Sequence, residues 1–152
     1  MKLTQLHFEQ KINTDLSNLW EFISSPKNLS KITPNYMDFN IKSKIPNKMY
    51  EGLIISYTVK PILGIKLNWV TEITHIKDKN YFVDEQRSGP YKMWHHEHIL
   101  EETNDGIIMK DIISYIPPYG IIGLILNKLF IKKQVKEIFQ YRTKILDNIF
   151  KK

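Results

Sequence analysis

The 152-residue chain predicts an α+β fold, a curved seven-stranded antiparallel sheet wrapped around one long C-terminal helix, with two short helices between strands 1 and 2. Three observations predict it. Six segments between residues 37 and 115 are rich in β-branched and aromatic residues and are separated by short turn sequences. Ahead of them, one alternating segment is followed by apolar residues at helical spacing that stop at Ser24-Ser25-Pro26. Beyond Pro117-Pro118 the chain holds no further proline, and its apolar residues recur with the period of a helix.

Leu3 to Ile12 alternates as a first or edge strand. Thr14 or Asp15 can cap a helix carrying Leu16, Leu19, Trp20 and Ile23 on one face. A second short helix, Pro26 to Ile32, follows with its proline in the first turn, where the missing N–H costs nothing. The six strands are then Met37 to Ile45, Leu53 to Pro61, Ile65 to Lys77, Tyr81 to Arg87, Met93 to Glu101 and Gly106 to Tyr115. Their separators, Pro46-Asn47, Leu63-Gly64, Asp78-Lys79-Asn80, Ser88-Gly89-Pro90 and Asn104-Asp105-Gly106, are turn sequences too short for anything but an antiparallel meander.

The final helix should run from Gly120 to Phe150. Its segment IIGLILNKLFI, residues 121 to 131, is apolar nearly all round, which predicts burial against protein first and an interfacial patch second; eleven residues are too few to span a bilayer. Val135, Ile138, Phe139, Ile145, Leu146 and Ile149 then form a core stripe, and Lys128, Lys132, Lys133 and Lys136 read as a solvated face, with a basic interaction module for ribosome, nucleic acid or anionic membrane as the alternative. A sheet of seven strands must curl to bury one face, and this helix is the one element large enough to occupy the hollow. Where the helix rests in the curl without filling it, a cavity remains.

Composition narrows the function classes. A 42% hydrophobic, 12% aromatic chain of this length is globular and is read as a single domain over residues 1 to 152. The absence of cysteine excludes disulfides, thiolate metal sites and a thiol nucleophile. The opening MKLTQLHFEQKI lacks the apolar core of a signal peptide, so a cytoplasmic location is expected and Asn28-Leu29-Ser30 is not read as a glycosylation site. The formal charge of +6 permits anionic partners, but Arg87 and Arg142 are the two arginines and form no cluster, so nucleic acid is not an expected partner; a membrane surface is a possible transient one.

The stretch FVDEQRSGPYKMWHHEHIL, residues 82 to 100, carries the chemistry. Alternation places Phe82, Asp84 and Gln86 on one face of their strand, Trp94, His96 and His98 on one face of the next, and Met109, Asp111 and Tyr115 on one face of the last. Glu85, Arg87, Glu97 and Lys110 share the opposite, solvent face. A loop at Gly89 to Tyr91 sets Asp84 across from His96 and Phe82 across from His98. The next turn leaves two registers open: a loop at Thr103-Asn104 puts Asp111 opposite His96, and one at Asp105-Gly106 puts Tyr115 there.

Polar groups on a buried face either satisfy one another or serve a ligand. An Asp84-His96 pair could orient a ligand or act as acid and base. His96 and His98 with Asp84 or Asp111 could also make a facial metal set. Same-face neighbours on a strand often diverge and there is no second His pair, so no metal or other cofactor is assigned. No Gly-x-Ser-x-Gly elbow or phosphate-binding glycine loop occurs; Gly120-Ile121-Ile122-Gly123 opens a helix among large apolar residues.

These residues resemble a known family. Phe82-x-Asp84-x-Gln86-x-x-Gly89-Pro90-Tyr91, Trp94-x-His96-x-His98, Asp111-x-x-x-Tyr115-x-x-Pro118 and a helix with Phe139-x-Tyr141-Arg142 are similar to the bacterial SRPBCC ligand-binding domains, relatives of START and Bet v 1-like helix-grip proteins. Tyr91 stands where Phe is commoner, and Leu100 where an aromatic is frequent. The resemblance implies a cavity between sheet and C-terminal helix holding a small hydrophobic molecule such as a lipid, quinone, sterol or polyketide, with cyclase or dehydratase chemistry in some members. On that basis Trp69, Phe82, Asp84, Gln86, Trp94, His96, His98, Met109, Asp111 and Tyr115 are the expected ligand-binding residues, with Asp84 and His96 the acid-base pair if a reaction is catalysed; a non-catalytic carrier or sensor is the preferred reading.

Overall fold

The computed structural model describes residues 2–62 and 64–151. β1 (Thr4–Ile12) leads into α1 (Leu16–Ile23), two 3-10 turns (Pro26–Ile32 and Asn35–Met37) and a two-residue β2 (Asn40–Ile41). The meander follows as β3 (Ile54–Ile62), β4 (Ile65–Lys77), β5 (Tyr81–Ser88), β6 (Met93–Thr103) and β7 (Gly106–Ile116). The helical C-terminal stretch comprises α2 (Gly120–Leu126), a π turn (Asn127–Ile131) and α3 (Lys132–Ile149). All seven strands form one antiparallel sheet in the order β1-β7-β6-β5-β4-β3-β2.

Asp15 caps α1 by accepting the Asn18 N–H at 2.8 Å, and Leu19, Trp20 and Ile23 turn inward. The predicted helix at Pro26 is a 3-10 segment: it is only seven residues long, and side chains of Asn28 and Thr33 tie themselves to carbonyls of Phe22 and Leu29. The second strand is far shorter than the predicted Met37 to Ile45. Met37 belongs to a 3-10 turn, Asp38 adopts a left-handed φ of 45°, and Lys42 and Ser43 both donate to the Ser56 carbonyl, which ends regular pairing. Of the predicted Leu63-Gly64 turn, Gly64 has a φ of 70° and Leu63 lies outside the described residues.

Bulges between Val70 and Thr71 and between Ile73 and His75 of β4, where it pairs with β5, curl the sheet. Asp84 faces His96 and Phe82 faces His98 across β5 and β6. The β6–β7 register corrects both sequence alternatives. A two-residue turn at Asn104-Asp105 pairs Thr103 with Gly106, so that His98 faces Asp111, His96 faces Ile113 and Trp94 faces Tyr115. Gly106 permits this turn with a φ of 127°, and a Cβ there would sit 2.7 Å from the Ile12 carbonyl oxygen. The three registers differ by two residues at a time, which preserves the face of every side chain.

In the C-terminal stretch the buried positions Gly123, Asn127, Ile131, Val135 and Phe139 recur every four residues. An α-helix drifts past a four-residue repeat, and the wider π turn offsets the drift. Asn127 inside that turn accepts from the Tyr115 hydroxyl at 2.7 Å and donates to Thr4 Oγ1 at 3.0 Å, fastening the helix to β7 and β1. The expected burial of residues 121 to 131 is not found. Tyr119 and Gly120 both take positive φ after Pro117-Pro118, and Gly123 alone of α2 is buried, so α2 projects with one narrow row against the protein. Ile149, placed in the core stripe by its spacing, is also exposed.

Candidate functional site

Apolar residues of the curled sheet and α1 enclose most of a hollow, and α3 closes it from the other side. The residual cavity has a volume of about 170 Å³. Trp69, Phe82, Trp94, Tyr57 and Tyr91 make its aromatic wall, with Val135, Ile138 and Phe139 on the helix side. The rings brace one another: Trp69 meets Trp94 edge-on at 5.3 Å and stacks on Tyr57 at 5.9 Å. Burial pushes the Tyr57 and Tyr91 phenols up, so both stay neutral donors.

One end of the cavity is polar. His96 Nε2 lies 2.9 Å from Asp111 Oδ1 and its Nδ1 3.4 Å from Asp84 Oδ2. His98 Nε2 lies 2.8 Å from Asp84 Oδ2 and its Nδ1 3.0 Å from Asp111 Oδ1. The two carboxylates and two imidazoles therefore form a closed ring, with the imidazoles 3.7 Å apart between centroids. Arg142 of α3 completes it, 3.4 Å from both Asp111 Oδ1 and His98 Nδ1.

Burial and charge set the protonation of this ring. Burial alone would push His96 down, but hydrogen bonds and charge from Asp111 and Asp84 outweigh it and hold His96 above its usual range. His98 is lowered, by burial and then by the charge on His96. Burial would raise Asp84, yet its bonds to His96 and His98 keep it ionised; Asp111 is held down, against burial, by Arg142 and the two imidazoles. His96 is thus the imidazolium, donating to both aspartates. Neutral His98 donates from Nε2 to Asp84 and accepts from Arg142 at Nδ1; its Nδ1 lone pair then lies against Asp111 Oδ1 at 3.0 Å, a contact bridged by the Arg142 guanidinium, which is 3.4 Å from both atoms. Two negative charges meet two positive ones, as burial requires.

Asp84, His96 and His98 bring three ligand atoms within 4.8 Å of one another, enough for a three-ligand metal set. A dication there would have to displace the shared protons beside the Arg142 guanidinium, so this donor set is better matched to holding a proton than a metal.

Of the residues singled out from sequence, Trp69, Phe82, Asp84, Trp94, His96 and His98 line the cavity. Asp111 lies behind the imidazoles and holds them. Gln86 clamps the β5–β6 loop, donating to the Tyr91 carbonyl at 2.7 Å and accepting from its N–H at 3.1 Å, with a hydrogen at Gly89 leaving room for it. Met109 is core, and Tyr115 is spent on Asn127 and on stacking against Trp94. Burial pushes the Tyr115 phenol up to about 12.

Sequence reasoning missed Arg142 as a site residue, although it falls in the core stripe between Phe139 and Leu146. A single arginine on a buried helical row signals a buried acidic partner. Tyr57 was also missed; alternation with Ile55 and Val59 would have found it.

Three buried side-chain polar atoms have no partner among the described residues, and one of them, Thr58 Oγ1, lies outside the cavity lining. Trp69 Nε1 and Arg142 Nε are buried, belong to cavity-lining residues and have no hydrogen-bond partner among the described residues.

Comparison with solved structures decides the architecture. A protein from Chromobacterium violaceum, CV1439, superposes with a TM-score of 0.72 at 11% identity over 97% of this chain and 98% of its own. Ginseng major latex-like protein 151 from Panax ginseng gives 0.68 at 11% identity over 99% of both chains. TTHA0849 from Thermus thermophilus gives 0.67 at 17% identity over 95% of both. The chain has the Bet v 1-like helix-grip fold. No family model matches the helix-grip chain, and no curated protein is detectably similar to it in sequence. Among its described residues, no helix is long and apolar enough to cross a membrane.

Proposed function

We propose that the protein is a non-catalytic carrier or sensor of a small, mainly apolar molecule that bears a hydrogen-bond acceptor, held between the sheet and α3. The observation that carries this reading is a cavity with mostly apolar walls and one polar end, two of whose lining residues, Trp69 and Arg142, keep a buried N–H without a partner among the described residues. A buried donor without a partner costs about 1–3 kcal/mol, and a carbonyl or carboxylate oxygen would remove that cost. Size supports a compact occupant. A dry cavity of about 150 Å³ holds one benzene ring, so 170 Å³ suits a single ring or a short acyl chain. A sterol, a polyketide or a tailed quinone would need α3 to move outward.

The histidines favour binding over acid-base turnover. All four ring nitrogens already face a carboxylate oxygen within 3.4 Å, leaving no lone pair or proton free for a substrate.

Titration with toluene, benzaldehyde and benzoate, followed by tryptophan fluorescence, tests the proposal. Saturable binding is expected, with an oxygen-bearing probe at least tenfold tighter than toluene. Absence of binding, or binding undiminished when Ile138→Trp fills the cavity, would overturn it.

A further inference from the structure

Apart from buried Ile131 and half-buried Leu124, the large apolar side chains of α2 and the π turn are exposed. Tyr119 is 78% exposed, Ile121 77%, Ile122 65%, Leu129 57% and Phe130 61%, with Ile125 beside them. Four-residue spacing sorts them into two adjacent rows, Ile121-Ile125-Leu129 and Ile122-Leu126-Phe130, turned away from the buried row of Gly123, Asn127 and Ile131. Together they line one side of the helix end, a run of exposed apolar side chains rather than isolated ones. Scattered exposed residues would need no explanation; a face of this kind does.

The charges around the face indicate what covers it. Lys128, Lys132 and Lys136 form the four-residue row flanking Ile121-Ile125-Leu129, and Lys133 continues that apolar row by one turn. Between Asp111 and Glu137 the sequence contains no acidic residue. A protruding helix end with an apolar face, an aromatic at each end and a mainly basic border, in which Glu137 pairs with Lys133 at 3.8 Å, has the composition of a segment that lies in the plane of a lipid interface. A second copy of this chain would bring the same lysines against these, which opposes pairing.

The geometry points to a docking surface for an anionic lipid bilayer, with residues 119 to 130 inserted at the headgroup level and Lys128, Lys132, Lys133 and Lys136 facing the lipid phosphates. This goes beyond the cavity reading and does not depend on it. The two are nevertheless adjacent: Gln134 and Val135, one turn beyond Phe130, line the cavity.

Flotation with vesicles of phosphatidylcholine alone and of phosphatidylcholine with phosphatidylglycerol tests the surface. Binding is expected to be at least tenfold stronger to the phosphatidylglycerol vesicles and to weaken with added salt. Ile122→Ser with Phe130→Ser should cut binding more than tenfold, and Lys128→Gln with Lys132→Gln should cut it and flatten the salt dependence. Both pairs are exposed, so an unchanged thermal melt verifies folding. Failure to float, or flotation indifferent to the serine pair, would overturn the proposal. A lipid-free dimer dissolved by the serine pair, without flotation, would overturn it in favour of self-association.

Discussion

Arg142 on α3 stands 3.4 Å from Asp111 on β7, both buried, and this contact joins the helix electrostatically to the sheet it lies against. Without it, the ring of Asp84, His96, His98 and Asp111 would carry a net negative charge in a low-dielectric interior.

Asp111→Ala should therefore destabilise the protein by about 3–5 kcal/mol, since it strands a guanidinium and an imidazolium without their shared acceptor. Combining it with Arg142→Met should recover part of that loss. Guanidinium unfolding of the four proteins of the cycle measures the coupling, and purely additive losses would show that the pair contributes nothing.

Stability should peak near neutral pH. His96 is raised above 6.5 in the fold, so its contribution is complete below 6.5 and is lost as pH rises through the raised value. His98 is lowered, so stability is lost below 6.5 as the unfolded imidazole takes up a proton that the folded one refuses. Asp84 and Asp111 add a further loss below 3.8, as pH falls towards their depressed values. Imidazole NMR titration should show one ring above and one below the ordinary value, and His96→Gln should flatten the alkaline limb. Two rings titrating together at the ordinary value would contradict the assigned protonation.

Trp69→Phe removes an N–H that bonds to nothing in the fold, so any loss of stability, about 1–3 kcal/mol, should come from ring packing alone. Affinity for benzaldehyde should fall about five- to tenfold, the value of one hydrogen bond. Isothermal titration beside a thermal melt separates the two. Unchanged affinity would remove the indole from the site.

Gly123→Ala should destabilise by about 1–3 kcal/mol, because its Cβ would fall 1.6 Å from the Pro118 carbonyl oxygen and the start of α2 would have to shift. An equivalent change at Gly64, which has open space around it but a positive φ, should cost about 1 kcal/mol from backbone strain alone. Equal costs at both sites would mean that the close approach at Gly123 is relaxed at no expense.

Much of this architecture was legible locally. Strand β4 was bounded correctly from its polarity, and the faces of Asp84, His96, His98 and Asp111 followed from alternation, because a period of two admits no intermediate orientation. β2 was misjudged because Asp38 and the doubled donation to Ser56 break a pattern that composition alone would continue.

By itself, then, the sequence determined the order of elements, the curled sheet over a terminal helix and the presence of paired acids and histidines on its inner face. Only the tertiary structure decided that Arg142 neutralises them, that Asp111 meets His98 across the strands, that Trp69 and Arg142 beside the cavity each keep an N–H without a partner, and that residues 121 to 130 turn largely outward. Spacing along a chain specifies which side chains share a face; what that face meets depends on strand register and on where a helix is fastened, and both are set by contacts between residues far apart in sequence.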